Sequence, residues 1–338
     1  MIYTIENDLR LSNERTAAVM KAIVKVESTA AVNAEYFSDA VIDNFVASRK
    51  GSANTSRTYK NAVRRLVLFF GEKGISKPQA ADVDNFINEL RAEGKSAATL
   101  RLYHTVGKMF FSYLSENGIY ANVAKNSKLN VRQSKTHNRR ALSREQAKAL
   151  LNSIVGSDEK SLRDRAIVAL CLQCGLRTVE VERADVADLT DEGNYFLLSV
   201  QGKGRLEKDE QVKVSRPVAA MIYAYLQKRG INPSTDGEAP LFVSTARNSS
   251  NGKRLSSQSV GKEIKARLKK IGLDSKAYVA HSLRHTMATL AIKSGSVDIR
   301  EISAALRHAS LNVTLRYLDD LSLETRRAEL AVADALFA

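Results

Sequence analysis

The chain has 338 residues, 44% of them hydrophobic and 26% charged. These are the values of globular domains with real cores, two or three of them at this length, and they exclude a chain too polar to fold. Lys and Arg number 52 against 37 Asp and Glu, a formal net charge of +15; such an excess favours a polyanionic partner, since each neutralised phosphate releases condensed counterions.

The first residues, Met1 to Asp8, carry no basic start and no long apolar stretch, so no signal peptide is expected. No apolar run approaches the roughly 20 residues that span a bilayer. Residues 1–35 read as a polar to amphipathic helical extension without a distinctive motif.

Four helical patterns follow between 36 and 122: residues 38–47, 55–71, 80–91 and 96–116. In the second, Tyr59, Val63, Leu66, Val67 and Phe70 step by three and four, the spacing of one buried helix face. Gly71, Gly74 and Pro78 separate the second from the third, and Gly94 the third from the fourth. The polar positions are basic, with Arg57, Lys60, Arg64, Arg65, Lys95, Arg101 and Lys108 suited to a surface that rests on phosphates.

From Glu116 to Glu145 there is no intervening carboxylate, while Lys125, Lys128, Arg132, Lys135, Arg139, Arg140 and Arg144 fall in the stretch. Residues 123–141 therefore read as an extended basic linker that follows a DNA backbone, Arg139 and Arg140 among its contacts.

The second domain, 142–338, opens on the capping-box pattern Ser143-Arg-Glu-Gln146. Helical patterns cover 161–174, 217–229, 256–271, 282–294 and 298–306, and a last helix carries Thr314 to Tyr317. Residues 195–200 and 210–214 read as strands around the turn Gly202-Lys203-Gly204, and Leu241-Phe-Val243 as a short third strand. The fold class is mostly α with a small antiparallel β-sheet. Cys171 and Cys174 sit in the apolar run 166–175, with no second pair to complete a four-ligand metal site. They read as small buried helix residues, and without a disulfide framework a reducing cytoplasm fits.

Four separated segments hold polar residues that a purely structural chain does not need. They are Gly175-Leu-Arg177-Thr-Val-Glu180, Gly202-Lys203-Gly204, His281-Ser-Leu-Arg284-His285-Thr286, and Leu306-Arg-His308-Ala-Ser310 followed by Thr314-Leu-Arg316-Tyr317. In this order they resemble the tyrosine recombinase (phage integrase) family, and the resemblance spans about 36 to 330. It implies a helical SAM-like core-binding domain followed by a mixed α+β catalytic domain. It also implies a catalytic set of Arg177, Lys203, His281, Arg284, His308 and Tyr317, with Glu180 in support. Two departures stand out. Arg307 occupies a position where the family usually has glycine, and Arg205-Leu-Glu-Lys208 follows the turn where a basic and then apolar continuation is usual, leaving Lys208 as the alternative to Lys203.

The chemistry agrees with that assignment. A phosphodiester under attack gathers negative charge on its non-bridging oxygens, and Arg177 and Arg284 offer planar donor forks that match them. His281 and Arg284 stand three apart at a helix start, so both can face one site. Tyr317 must lose a proton against a reference pKa of roughly 10, and surrounding cations favour the phenolate. Lys203 can protonate the departing 5′-hydroxyl, His308 can donate to the phosphate, and Glu180 can orient the arginines as a supporting carboxylate. His285 reads as packing beside the site.

The reaction the resemblance implies is cleavage through a 3′-phosphotyrosyl link, with bond energy conserved, so the expected cofactor and metal set is empty. The expected partner is double-stranded DNA with inverted-repeat core sites, bound by a tetramer formed from monomers or weak dimers. The expected setting is a bacterial cytoplasm, at the nucleoid. Integration or excision of a mobile element, Xer-type resolution and inversion all use this site, as does a topoisomerase of type IB. A catalytically silent DNA-binding derivative is the reading of a different class. The apolar Leu321, Leu323, Leu330, Val332, Leu336 and Phe337 of the tail suit either docking on a neighbouring protomer or folding back on their own domain.

Overall fold

The computed structural model describes residues 36–130, 139–202 and 204–319, with residues 316–319 described by backbone alone. The chain falls into two compact units, Met1–Lys135 and Thr136–Ala338. The N-terminal extension, Lys203 and the tail after Asp319 lie outside the described residues.

In the first unit four helices form where the amphipathic spacing places them: α1 (Asp39–Ala47), α2 (Ala53–Glu72), α3 (Ala80–Ala92) and α4 (Ala97–Glu116). Ser38, Ser52 and Ser96 sit at the N-caps of α1, α2 and α4, each accepting a backbone N–H from the first turn. Phe37, Phe45, Phe69, Phe70, Phe86, Phe110 and Phe111 are all buried, so an aromatic cluster holds the helices together. The segment after α4 is packed at its start. Ala124 is fully buried, and Ser127 Oγ donates to Asp84 Oδ1 at 2.6 Å while lying 3.0 Å from His104 Nε2.

The second unit is built around α6 (Glu159–Cys174), whose run from Ala166 to Cys171 is buried on every face. Packed with it are α5 (Arg144–Asn152), α8 (Arg216–Lys228), α9 (Ser257–Lys270) and α10 (Ala280–Ser294). A short α7 (Thr178–Arg183) leads to an antiparallel sheet of β1 (Leu189–Asp191), β2 (Phe196–Val200) and β3 (Glu210–Val214) in that order. Leu198 pairs with Val212, and Phe196, Leu198, Val200, Val212 and Val214 turn one apolar face to the core. Two further helices, α11 (Ile299–Ala305) and α12 (Leu311–Asp319), complete the described chain.

Leu241-Phe-Val243, expected as a strand, makes only one isolated bridge, Val243 to Arg254, beside that of the preceding Pro240 to Asp185. Pro240 has no N–H to offer a ladder, and the N–H of Val243 donates to the Tyr225 hydroxyl at 3.1 Å instead. Cys171 and Cys174 are buried free thiols, each pushed up to about 12 by burial, which makes them inert helix residues.

Candidate active site

The site grows out of the end of α6. Gly175 caps that helix with φ +60°, and a Cβ there would meet Leu306 Cδ2 at 2.7 Å. Only glycine gives both the left-handed turn and the close approach of α11's last residues. Two residues on, Arg177 caps α7. Its N–H donates to Glu180 Oε2 at 2.8 Å, and its guanidinium Nη1 to Glu180 Oε1 at 2.7 Å.

Arg284, on α10, is 1% exposed. Its Nη1 donates to Gly175 O at 2.6 Å and its Nη2 to Leu306 O. It therefore joins the carbonyl ends of α6 and α11, where helix dipoles favour a cation.

The turn after α11 supplies the remaining donors. Arg307 N–H donates to Ala304 O at 2.8 Å and His308 N–H to Ser303 O at 3.1 Å, the paired bonds of a Schellman motif. Arg307 holds φ +54°, the one non-glycine positive φ among the described residues. Its Nη2 lies 2.7 Å from Glu180 Oε2, and Arg177 Nη2 donates to Arg307 O at 3.3 Å. His308 Nδ1 lies 2.7 Å from Oγ1 of Thr314, a fully buried residue of α12.

The electrostatics follow from that crowding. Burial alone would raise the Glu180 carboxyl, but the Arg307 charge and the donors from Arg177 and Arg307 more than offset it and hold it below its ordinary value. His308 is lowered to about 4, by burial first and then by the charges of Arg284, Arg177, Arg307 and His281. His308 is therefore neutral at physiological pH in the free protein.

His281 stands exposed in the first turn of α10, its ring 5.1 Å from that of the buried His285. Arg177, Arg307 and His308 line a cleft of about 600 Å³ together with Gly202 and Arg205 of the β2–β3 turn. Lys203 itself lies outside the described residues; Lys208 is held by Asp185 at 2.6 Å and Asp188 at 2.5 Å. Tyr317 lies in α12, three residues beyond Thr314, and its side chain is outside the described residues. Among the described residues no group of three or more His, Cys, Asp or Glu is arranged to hold a metal ion.

The residues expected at a DNA backbone divide. Arg57 is exposed on α2 and Arg101 half-buried on α4. Lys60 pairs with Asp43, and Lys95 lies 3.3 Å from Glu93. Lys108 Nζ donates to Lys125 O at 2.9 Å, and Arg139 Nη1 to Lys276 O. The N–H groups of Arg140 and Leu142 donate to Ala277 O at 3.1 Å and to Thr286 Oγ1 at 2.8 Å, the second on α10 itself. Sequence reasoning placed Thr314 in the fourth segment without a role, and it missed the contact of Arg307 with Glu180. Nothing local tells that the Thr314 hydroxyl meets His308.

The comparisons with known proteins identify the family. The model of the phage integrase family matches residues 140–323, and that of the phage integrase N-terminal SAM-like domain matches 43–118. Tyrosine recombinase XerA of Pyrococcus furiosus is 32% identical over 261 residues, 76% of this chain and 83% of the relative. Tyrosine recombinase XerC of Alcanivorax borkumensis is 28% identical over 279 residues, 82% and 86% of the two chains.

Among solved structures, XerH site-specific recombinase bound to palindromic difH substrate superposes with TM-score 0.65 at 22% identity, over 83% of this chain and 79% of that one. A lambda integrase dimer bound to a COC′ core site gives 0.63 at 17%, over 83% and 94%. Both show the same fold. With one family model spanning most of the second unit and another the first, the chain belongs to the phage integrase family of tyrosine recombinases and is a site-specific DNA recombinase.

Proposed function

We propose that Tyr317 attacks a scissile phosphate held by Arg177, Arg284 and His308, forming a 3′-phosphotyrosyl link and releasing a 5′-hydroxyl. His281 exchanges the tyrosine proton or holds a phosphate oxygen, and Lys203 gives the leaving oxygen its proton. A 5′-hydroxyl of the partner duplex then attacks the link, reforming the phosphodiester and freeing Tyr317. The observation that carries this reading is the convergence of Arg177, Arg284 and the neutral His308 around Glu180 and the end of α6. An arriving phosphate brings negative charge to the cluster and raises the proton affinity of His308, turning it into a stronger donor as the substrate seats.

In this reading residues 36–122 form the core-binding domain, 123–141 a linker along the DNA backbone, and 142–338 the catalytic domain with an oligomerising tail. Four copies act on two paired inverted-repeat sites, assembled from monomers or weak dimers. The biological role we propose is integration or excision of a mobile element in a bacterial nucleoid. Resolution by a Xer-type recombinase is the second reading, supported by relatives of that name over 76% and 82% of the chain.

The test begins by selecting a binding site from a randomised duplex library with the full-length protein. A nicked version of that site is then incubated with native protein and with Tyr317→Phe, in EDTA, and resolved on a denaturing gel. A covalent adduct from the native protein that Tyr317→Phe abolishes, with binding retained, is the expected result. Binding by the native protein without an adduct overturns it in favour of a silent DNA-binding derivative.

A further inference from the structure

We propose that Arg307 is a positioning residue for strand cleavage: it neutralises Glu180, so that the Arg177 guanidinium remains available to the scissile phosphate. This rests on the function proposed above. Glu180 is fully buried and its carboxylate accepts three hydrogen bonds, Oε1 from Arg177 Nη1 and Oε2 from Arg177 N–H and Arg307 Nη2. A buried carboxylate demands a counter-charge. With Arg177 alone in that role, the Arg177–Glu180 pair is neutral and attracts a phosphate weakly. With Arg307 present the trio carries a net positive charge, and Arg177, whose side chain is 27% exposed against 3% for Arg307, is the member that faces outward.

The backbone gives a second line of argument. The Schellman turn that presents His308 needs a left-handed residue, for which glycine is the unstrained choice. Arg307 holds φ +54° there. A strained residue of this kind persists where the surroundings over-determine it, and it is then a pointer to function. The restraint here is the ion pair with Glu180, reinforced by Arg307 Nη1 on Ala305 O at 2.7 Å and by Arg177 Nη2 on Arg307 O. One side chain therefore fixes the carboxylate behind Arg177 and the turn that carries His308.

The test uses the nicked cognate duplex, full-length native protein and two variants, Arg307→Gly and Arg307→Lys. Glycine fits the turn and removes the charge; lysine keeps the charge and the strained turn. Adduct formation is timed, and the His308 ring resonance is titrated by NMR in the DNA-free proteins. The charges that act on that ring are those of Arg284, Arg177, Arg307 and His281, with the Thr314 hydroxyl on Nδ1, and Glu180 is bonded to two of those arginines, Arg177 and Arg307.

In Arg307→Gly, adduct formation is expected to fall on the order of 10²-fold, the penalty of a misplaced donor. The His308 midpoint is expected to rise from about 4, and Arg307→Lys to recover part of both effects. Cleavage by Arg307→Gly at the native rate overturns the proposal. So does a loss shared equally by both variants with the His308 midpoint unmoved, the mark of a merely structural residue. Absence of an adduct from the native protein is a different failure, seen before any variant is made: it removes the functional reading and this inference together.

Discussion

Arg267 Nη2 lies 2.6 Å from Asp164 Oδ2, and that same carboxylate holds Arg163 Nη2 at 2.7 Å through its other oxygen. The side chains of Arg163 and Asp164 are each 1% exposed, so one buried anion on α6 ties α9 to the core between two guanidinium groups, with Lys160 Nζ a third cation 3.4 Å away. Removing the anion leaves two guanidinium groups buried without it. Asp164→Ala is expected to destabilise the second unit by about 3–5 kcal/mol, lowering its Tm on the order of 10 °C. Calorimetry checks this; a Tm within experimental error of native would show that the network is not structural.

The low proton affinity of His308 has a sign that can be followed. Its folded value, about 4, lies below its unfolded value of roughly 6.5. Between those two values the unfolded chain binds more protons than the folded one, so stability falls as pH drops through that window. Glu180, lowered from an ordinary carboxyl, acts in the same direction but only as pH falls below its unfolded value of about 4.3. Native protein is therefore expected to lose Tm on acidification from pH 6.5 towards 4.5, and His308→Asn to lose less over the same range. Parallel curves for the two proteins would contradict the assignment.

Gly175→Ala tests the seat of Arg284. The added Cβ collides with Leu306 Cδ2, and φ +60° is unfavourable for alanine by about 1–2 kcal/mol. The Gly175 carbonyl that accepts Arg284 Nη1 must then move. Loss of thermal stability together with a fall in adduct formation is expected, and full activity in a destabilised protein would separate the turn from the site.

Lys203 and Lys208 separate by leaving-group chemistry. A duplex with a bridging 5′ sulfur expels a thiolate, whose conjugate acid has a pKa of roughly 8.5, and needs no proton donor. Lys203→Ala is expected to slow cleavage of ordinary DNA by about 10²–10⁴-fold and to be restored on the sulfur substrate. Lys208→Ala, which breaks the pairs with Asp185 and Asp188, is expected to show no such rescue. The opposite pattern would exchange their roles.

Much of the fold was legible because amphipathic spacing is a local property. The pattern at 55–71 became α2 at Ala53–Glu72, and that at 96–116 became α4 at Ala97–Glu116. β1, at three residues, is too short to show alternation, and Leu241–Val243 looks like a strand because a buried apolar run need not be one. Charge is legible too, but its partner is not. Nothing local says that Lys108 meets the carbonyls of Lys125 and Ser127, or that Asp164 meets a guanidinium 103 residues away. At the site the motif residues could be named one by one. Arg307 was visible as a departure from glycine, but its bond to Glu180 spans 127 residues and exists only in three dimensions.

The Thr286 hydroxyl accepts the buried N–H of Leu142 and donates to Ser282 O, both at 2.8 Å, so its hydrogen-bonding capacity is committed in two directions at once. The segment 139–142 is thereby stitched to the helix that carries His281 and Arg284. One hydroxyl is thus a rivet between the two segments, and its loss would leave the Leu142 N–H buried without that acceptor.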